Sequence, residues 1–528
     1  MSKQTWIDLD GSKSKHQSIS ADVCIIGAGA AGIYLAAELS KKDIDVVLIE
    51  AGPSKSVDSN TIGFSAIFNN NYYPGSVEGR SFGMGGTTSR WGGVLVPHTD
   101  YDLREEGIFN DAWVHIINIV KENTSDVLRA LGRLQKSDFH SYPLILLDSV
   151  GKKLEKTGLK LQSALHLPFF KKNLVYLLNK KNSVNKVYFN AVVKSWNVKK
   201  DSIEPSIKSL LAVSKNHNEL SVNANKFIIT AGAIESARIL LEIDKSTNHK
   251  VFHNRTAVGS YLSDHLSIKI ASFSPKDWQQ IAGIFGPRFN EEWMRTFRLL
   301  EDVSPKNSPR AYVHFIFENE YRGFKIAKEL LKAFQSRRMP SIQFKDFIFA
   351  GSDFAKLTYS RLIKSTLHIP SGTPVHLQLG IEQSPCRINR VFLADSLDMY
   401  GRNILAINWS ITDLDLKLIE ETSIRFISKW NSLNTILPNL EYIPLKDSDE
   451  KPYDAYHPVG TCRMGYDAES TVDQNLKVRG IENAWVVSTG VLPSAGSANP
   501  TFTMLCMANH LAKQLLNNNN YSRDRDVK

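Results

Sequence analysis

Two polar side chains near the C-terminus have the types and surroundings expected of a site for proton transfer. His457 stands in the segment DAYHPVGTCRMG, directly before Pro458 and a glycine turn. An unperturbed histidine titrates near pH 6.5, so it can be neutral and basic at physiological pH. About forty residues later, Asn499 precedes Pro500, the order favoured for a helix N-cap and the first helical residue. This pattern predicts a helix whose N-terminus points at a bound group.

Both residues also fit a purely structural interpretation, with Asn499 as an ordinary cap and His457 as a hydrogen-bonded core histidine. For a single histidine, that interpretation is the more frequent one. If the site is functional, the helix N-terminus would stabilise a nearby negative charge by about 1 kcal/mol. The helix predicted over 499–516 would bury one face, which is formed by Leu505, Ala508, Ala512 and Leu515.

A glycine-rich turn near the N-terminus predicts a dinucleotide site. Gly27, Gly29 and Gly32 form the pattern GxGxxG between an apolar strand over 23–26 and a helix over 30–41. Glycines at these places permit a tight turn, close approach to a pyrophosphate and close packing of helix against strand. The phosphate would then lie at the positive N-terminus of the helix. The alternative is a glycine-rich turn that binds nothing.

Two further segments extend the predicted site. Glu50 ends an apolar strand over 46–49, where an acid suits a hydrogen bond to ribose hydroxyls. The loop Gly83–Gly93 can bring backbone N–H groups close to a ligand, because five of its residues are glycine. A flexible surface loop is the alternative, and Met84 and Trp91 inside the loop argue against it. The glycine motif alone does not separate FAD from NAD.

The length and composition are typical of a globular protein. At 528 residues, 42% hydrophobic and 22% charged, the chain is expected to form two or three packed units. No apolar run is long enough for a membrane-spanning helix, and the polar N-terminus lacks the apolar region of a signal peptide. We therefore expect an intracellular, cytoplasmic protein. The cysteines are widely spaced, which predicts buried thiols rather than disulfides or a zinc site: Cys24, Cys386, Cys462 and Cys506.

Most of the formal charge of +10 comes from one segment, Arg322–Lys364, which contains ten basic and three acidic residues. Its charges alternate with apolar residues between Phe324 and Phe334. Such a segment predicts a solvated helical face, a helix lying on an anionic membrane, or a site for a phosphorylated or lipid-linked sugar. Nucleic-acid binding is not expected, because no recognition module accompanies the charge.

In combination, several segments resemble the glucose–methanol–choline (GMC) oxidoreductases. They are 21–52, the loop Gly83–Gly93, KFIITAGAIESARILL at 226–241, VGSYLSDHLS at 258–267, and 454–515. The resemblance implies an α/β fold with a discontinuous Rossmann-like FAD-binding domain and an inserted α+β substrate domain that contains an antiparallel sheet. We assign 18–100, 183–265 and 452–516 to the first domain, 101–182 and 266–451 to the second, and 1–17 and 517–528 to flexible termini.

The resemblance also implies roles for individual residues. His457 begins the family pattern H-P-x-G-T-x-x-M-G and would take the proton of the substrate hydroxyl, while a hydride passes to flavin N5. Asn499, in the pattern N-P-T-x-T, would hydrogen-bond the same oxygen. No metal is expected. The cofactor contacts implied by the motifs and the resemblance are Gly27, Gly29, Ala30, Gly32, Glu50, Gly85, Gly86, Thr87, Arg90, Trp91, Gly92, Val193, Ala231, Gly232, Gly490, Pro500 and Thr501.

Within the family, the tail VVSTGVLPSAGSANPT and Asn499 resemble the pyranose oxidase and sugar dehydrogenase branch. A sugar or polyol is therefore the expected substrate, with an unknown electron acceptor. Arg90 stands where pyranose oxidases often carry a flavin-linked histidine, which predicts non-covalent FAD. Ser488 stands near a position where many members have Asp, so that contact is not assigned. The alternatives are oxidation of another alcohol such as a sterol, a non-catalytic flavin-binding subunit, and an NAD-dependent enzyme.

Overall fold

The structure, a computed structural model, describes residues 5–42, 44–104, 107, 109–133, 145–178, 186–199, 204–252, 254–301, 309–342 and 350–523. Among these residues, the strands in chain order are β1 (Thr5–Asp8), β2 (His16–Ile26), β3 (Val46–Ile49), β4 (Ala66–Phe68), β5 (Val94–Leu95), β6 (Leu159–His166), β7 (Lys186–Phe189), β8 (Val192–Lys199), β9 (Ser206–Val213), β10 (Glu219–Ile229), β11 (His265–Phe273), β12 (Arg288–Asn290), β13 (Trp293–Glu301), β14 (Ala311–Phe317), β15 (Val375–Glu382), β16 (Arg390–Leu397), β17 (Asn403–Asn408), β18 (Leu440–Tyr442), β19 (Tyr453–Asp454) and β20 (Ala484–Val486). The helices are α1 (Ala30–Leu39), α2 (Pro74–Val77), α3 (Asn110–Ala130), α4 (Ile145–Lys156), α5 (Gly232–Ser246), α6 (Trp278–Phe285), α7 (Arg322–Gln335), α8 (Gly351–Leu362), α9 (Asp413–Asn431) and α10 (Thr501–Arg523).

The first sheet is mainly parallel and has the order β1-β7-β3-β2-β10-β9-β8, with β20 beside β10. Its central strands are continuous apolar runs because both faces are covered; all four residues of β3 are buried. Helix α1 follows β2 and α5 follows β10, and these two strands are parallel neighbours. The N-termini of both helices therefore lie at the same edge of the sheet, where ligands bind in folds of this kind.

The second sheet is antiparallel throughout its described pairs, in the order β18-β11-β15-β14-β13-β6-β5, with β12 beside β13 and β19 beside β11. A third sheet has the order β16-β17-β4. From the sequence alone, the apolar runs at 376–381 and 404–409 predict two strands of one separate sheet. Both strands are present, but the prediction that they share a sheet is wrong. Strand β15 lies in the second sheet and β17 in the third, because β17 pairs with β16 and with the sequence-distant β4.

The ends of the described chain are more regular than the sequence predicted. Flexible termini were expected at 1–17 and 517–528, but β1 pairs in parallel with β7, and β2 begins at His16. The last helix continues to Arg523, and 524–528 lie outside the described residues. That helix begins at Thr501. The prediction that Asn499 is its N-cap was therefore wrong. Its predicted inner face is buried at Leu505, Ala508, Ala512 and Leu515.

Most of the buried apolar side chains join one large core that the first two sheets share with α1, α3 and α10. Three of the cysteines are buried thiols, and Cys386 is partly exposed. None of the helices within the described residues has the length and hydropathy needed to cross a membrane.

Candidate active site

A cavity of about 530 Å³ lies where the glycine turn, the Gly83–Gly93 loop and the start of α10 meet. All but three of the residues predicted from the sequence line it. The lining members are Gly27, Gly29, Ala30, Glu50, Gly86, Thr87, Arg90, Trp91, Gly92, Val193, Ala231, Gly232, His457, Asn499, Pro500 and Thr501. The structure therefore brings residues from both ends of the chain to one cavity.

Three of the predicted residues, Gly32, Gly85 and Gly490, do not line the cavity but allow the segments around it to pack closely. A Cβ on Gly32 would lie 1.9 Å from the carbonyl oxygen of Gly27, so only glycine lets α1 pack this closely on the turn. Gly85 has a φ of +99° and donates its N–H to the carbonyl of Ala28 at 2.9 Å. A Cβ on Gly490 would lie 2.6 Å from Oγ1 of Thr461.

The cavity has the features that a dinucleotide needs. A Cβ added at Gly29 or Gly232 would have no atom within 4 Å, so open space lies beside the starts of both α1 and α5. Helix N-termini at such a place favour phosphate groups. These residues therefore fit the phosphate part of FAD.

Glu50 ties the two glycine segments together. Its carboxylate accepts hydrogen bonds from the backbone N–H groups of Ala28 at 2.8 Å and of Gly52 and Gly83 at 2.9 Å each. Burial raises the pKa of Glu50, and these three N–H groups oppose that rise. Each carboxylate oxygen has more than one lone pair, so the predicted ribose contact is compatible with these bonds.

An ion-pair cluster on the cavity wall was not predicted. Glu235 pairs with Arg80 at 3.0 Å and with Arg238 at 2.6 Å, and Arg402 also lines the cavity. Burial alone would raise the pKa of Glu235, but the neighbouring arginines lower it to about 2. The spacing of Glu235 and Arg238 on a predicted helix was the one signal available from sequence, because Arg80 and Arg402 are distant in the chain.

His457 and Asn499 are in direct contact at the cavity wall, with 3.1 Å between Nε2 of His457 and Nδ2 of Asn499. The Asn499 amide therefore faces the histidine instead of capping α10. Burial, together with the charges of Arg298 and His98, lowers the pKa of His457 to about 4. The imidazole is consequently neutral at pH 7 and able to accept a proton.

A second histidine, His265, determines which nitrogen of His457 is free. Nε2 of His265 lies 2.9 Å from the carbonyl oxygen of Gly496, so this nitrogen carries a proton and donates it. Nδ1 of a neutral His265 is then an acceptor, and it lies 3.1 Å from Nδ1 of His457. The hydrogen-bond pattern thus assigns a proton to Nδ1 of His457 and a lone pair to its Nε2, beside Asn499.

Asp264 holds the two histidines from the backbone side. It accepts the backbone N–H of His457 at 2.9 Å, the backbone N–H of His265 at 2.7 Å and the hydroxyl of Tyr73 at 2.6 Å. Burial, and then the charge of Asp454, raise the pKa of Asp264 to about 8. Asp264, His265 and His457 have potential metal-ligating atoms within 4.8 Å of one another, and hydrogen bonds engage these atoms. Asp264 and His265 lie in the segment VGSYLSDHLS, and no role was predicted for either residue.

Comparisons with known proteins agree with these observations. Residues 385–508 match the family model described as GMC oxidoreductase, and residues 22–72 match that of lycopene cyclase protein. An alcohol dehydrogenase (acceptor) from Pseudomonas putida is 43% identical over 58 residues, which are 11% of this chain and 10% of that protein.

Two solved structures align over most of the chain. Pyridoxine 4-oxidase from Mesorbium loti has a TM-score of 0.56 at 16% identity, covering 94% of this chain and 99% of that one. A formate oxidase from Aspergillus oryzae RIB40, studied for its FAD modification, has a TM-score of 0.53 at 16% identity, covering 94% and 97%. These alignments confirm the predicted α/β fold with an antiparallel second sheet. The sequence match spans only about a tenth of the curated relative's length.

Proposed function

We propose that this protein is a GMC oxidoreductase, an FAD-dependent enzyme that oxidises a CH–OH group, because residues 385–508 match the model of that family. One observation carries the proposal. The neutral Nε2 of His457 and the amide of Asn499 meet at the wall of the same cavity that Gly27, Gly29 and Glu50 line. A base and a hydrogen-bond donor at a dinucleotide cavity are the groups that alcohol oxidation requires.

In this proposal the chain's own residues bind the substrate and move its proton. Bound FAD would supply the hydride acceptor, flavin N5. In the structure Nδ2 of Asn499 donates to the lone pair on Nε2 of His457, and a substrate hydroxyl would replace this hydrogen bond. Nε2 then takes the hydroxyl proton, and Nδ2 donates to the oxygen that becomes negative. His265 keeps His457 in the required tautomer through their Nδ1 atoms. The glycine turn and the starts of α1 and α5 hold the phosphates.

The finer parts of the proposal come from the sequence resemblance. A sugar or polyol is the proposed substrate class, and 18–100, 183–265 and 452–516 are the proposed FAD-binding domain. FAD is proposed to be non-covalent, because Arg90 stands where related enzymes carry the linking histidine. In the structure, Arg90 pairs with Asp58 beside the cavity, which supports a role in the wall.

The visible absorption spectrum of the purified protein, before and after acid precipitation, tests the cofactor. Flavin bands that pass into the supernatant are expected, and colour that stays in the pellet would contradict non-covalent binding. Anaerobic mixing with sugars, polyols, sterols and simple alcohols then tests the reaction, with bleaching of the flavin as the expected result. A yellow protein that no alcohol bleaches would favour a non-catalytic flavin-binding subunit.

We also propose that the basic segment contacts an anionic membrane surface. The solvent face of α7 alternates lysines such as Lys328 and Lys332 with Leu331 and Phe334, which are 38% and 59% exposed. Lysine is depleted in protein–protein interfaces, whereas mixed basic and apolar faces suit anionic lipid. The end of α7 adjoins the cavity loop, since Gln335 donates to the carbonyls of Thr88 and Trp91 at 2.9 Å each.

Co-sedimentation with phosphatidylglycerol–phosphatidylcholine vesicles tests this contact, with pure phosphatidylcholine as the comparison. Binding to the anionic vesicles is expected to fall by roughly tenfold or more in Lys328→Glu/Lys332→Glu, because each lost basic charge weakens the attraction. The matched control reverses two exposed lysines on α4, Lys153→Glu/Lys156→Glu, and should bind as the wild type does. Equal loss in both variants would contradict a local docking surface. Residues 343–349 of the segment lie outside the described residues.

A further inference from the structure

The antiparallel sheet is buried on both faces, yet one of its faces is polar. Residues that pair directly across neighbouring strands point to the same face. On one face this register aligns Leu161, Leu299, Val313 and Leu379. On the other face it aligns Gln162, Arg298, His314 and Gln378. A buried polar face requires partners, because unpaired polar groups are costly away from water.

This polar face leads directly to the candidate active site. His265 lies on the same face at the start of β11, since Ser267, two residues on, accepts a hydrogen bond from Gln378 at 2.9 Å. The ring of Tyr312 is 5.4 Å from that of His265, and the guanidinium carbon of Arg298 lies 4.8 Å from the centre of the Tyr312 ring. A chain of contacts therefore runs from Arg298 through Tyr312 and His265 to His457.

Arg298 is a buried cation whose terminal nitrogens have no partner among the described residues. Only 3% of the residue is exposed, and its Nε donates to Gln162 at 2.6 Å. Nη1 and Nη2 make no hydrogen bond, and the same holds for Nδ1 of the adjacent His314. Other buried arginines near the cavity differ, since Arg238 and Arg402 each pair with a carboxylate.

Nη1 and Nη2 of Arg298 indicate which kind of chemical group would bind there. A guanidinium presents two parallel N–H groups that match the two oxygens of a carboxylate or a phosphate. Asp102 favours the charged form of Arg298 but forms no ion pair with it among the described residues. A bound anion would lower the remaining cost of burying this charge. A neutral hydroxyl would satisfy the hydrogen bonds without balancing the charge.

We propose that Arg298 and His314 bind an oxyanionic group, a carboxylate or a phosphate, on the alcohol that this enzyme oxidises. The inference rests on the proposed function and narrows its substrate class from alcohols in general to alcohols that carry an acid group. In this proposal the acid group lies against the polar face of the sheet, which stands behind the cavity lining, and the reacting CH–OH reaches Nε2 of His457 at the cavity wall. Arg298 is then a specificity residue, and it takes no part in proton transfer.

Thermal unfolding of the purified full-length protein with bound FAD tests the site without turnover. Acetate and inorganic phosphate are added separately, at equal ionic strength with chloride as the reference. At least one is expected to raise the Tm of the wild type, and the one that does so identifies the acid group. In Arg298→Gln the apparent affinity should fall by roughly tenfold or more, as for loss of hydrogen bonds to a charged group.

A matched control is Arg295→Gln, which removes a buried arginine from the opposite face of the same strand. It should keep the anion response. If Arg298→Gln does not fold, His314→Phe removes the neighbouring ring nitrogen and should weaken the same response. An anion effect that survives in Arg298→Gln, or no effect beyond chloride in the wild type, would overturn the inference.

Steady-state rates with D-glucose, D-gluconate and D-glucose 6-phosphate separate this inference from the proposed function. We expect kcat/KM to favour an anionic member in the wild type and to lose that preference in Arg298→Gln. Oxidation of neutral alcohols with no anion preference would overturn the inference alone. Anion binding by a protein whose flavin no alcohol reduces would overturn the proposed function alone.

Discussion

The two ends of the cavity are built in different ways. At the glycine turn, the contacts come from backbone atoms within short segments, as in the three N–H groups that bind Glu50. At the histidine end, His457 depends on side chains from distant parts of the chain, His265 and Asn499. The glycine end therefore depends on the positions of glycines within short segments. The histidine end depends on contacts between side chains that are distant in the sequence.

The largest effect is expected at Gly32, at the glycine end, where a side chain has no room. In Gly32→Ala, the new methyl group would meet the Gly27 carbonyl at 1.9 Å, so α1 must move away from its strand. We expect a loss of about 3 kcal/mol or more in the free energy of unfolding, together with loss of FAD. Thermal melts and the flavin spectrum measure both. Gly283→Ala, on a helix with open space at the same atom, is the control and should melt as the wild type does.

The next effect is expected at the histidine end, and it is chemical. His457→Ala should fold and retain FAD, while the rate of flavin reduction falls by roughly a hundredfold or more, as for loss of a general base. Stopped-flow reduction by the best alcohol substrate measures it. His510→Ala alters a histidine outside the cavity lining and should reduce at the normal rate. An unchanged rate of flavin reduction in His457→Ala would contradict the assignment of His457 as the base.

A smaller effect on the rate of flavin reduction is expected for His265, which contacts His457 on the side away from Asn499. His265→Phe removes the acceptor for Nδ1–H of His457, so the lone pair is no longer fixed at Nε2. The rate should fall by roughly tenfold or more, with FAD still bound. His265→Asn restores an acceptor near Nδ1 and should recover part of the rate. If Asn and Phe are equally slow, His265 has only a packing role.

The same contrast explains what the sequence could predict. The strand β3, the glycine turn and the cavity-lining glycines were identified because their signals lie within a few neighbouring residues. Asn499 was also predicted as a site residue, and it lies at the cavity wall. Its predicted role as a helix cap was wrong, because the sequence next to Pro500 does not show whether the amide faces the helix or a distant histidine. The sheet membership of β15 and β17, the cluster around Glu235 and the role of His265 depend on contacts between distant segments. No spacing rule along the chain reports such contacts.

The smallest effect expected is a shift in the pH profile of kcat/KM. This shift would connect His457 with Arg298 on the polar face of the antiparallel sheet. Burial and the charge of Arg298 lower the pKa of His457 to about 4, so the base is neutral above that pH and becomes protonated below it. The kcat/KM of the wild type should therefore be constant near pH 7 and fall on the acid side near pH 4, well below the usual histidine value of about 6.5. Removing a positive charge favours the protonated form, so Arg298→Gln should move this acid limb to higher pH. Because Arg295 lies on the opposite face of the strand from Arg298, Arg295→Gln should leave the limb in place. An acid limb near pH 6.5 in the wild type would contradict the lowered pKa of His457 and mean that water reaches its imidazole.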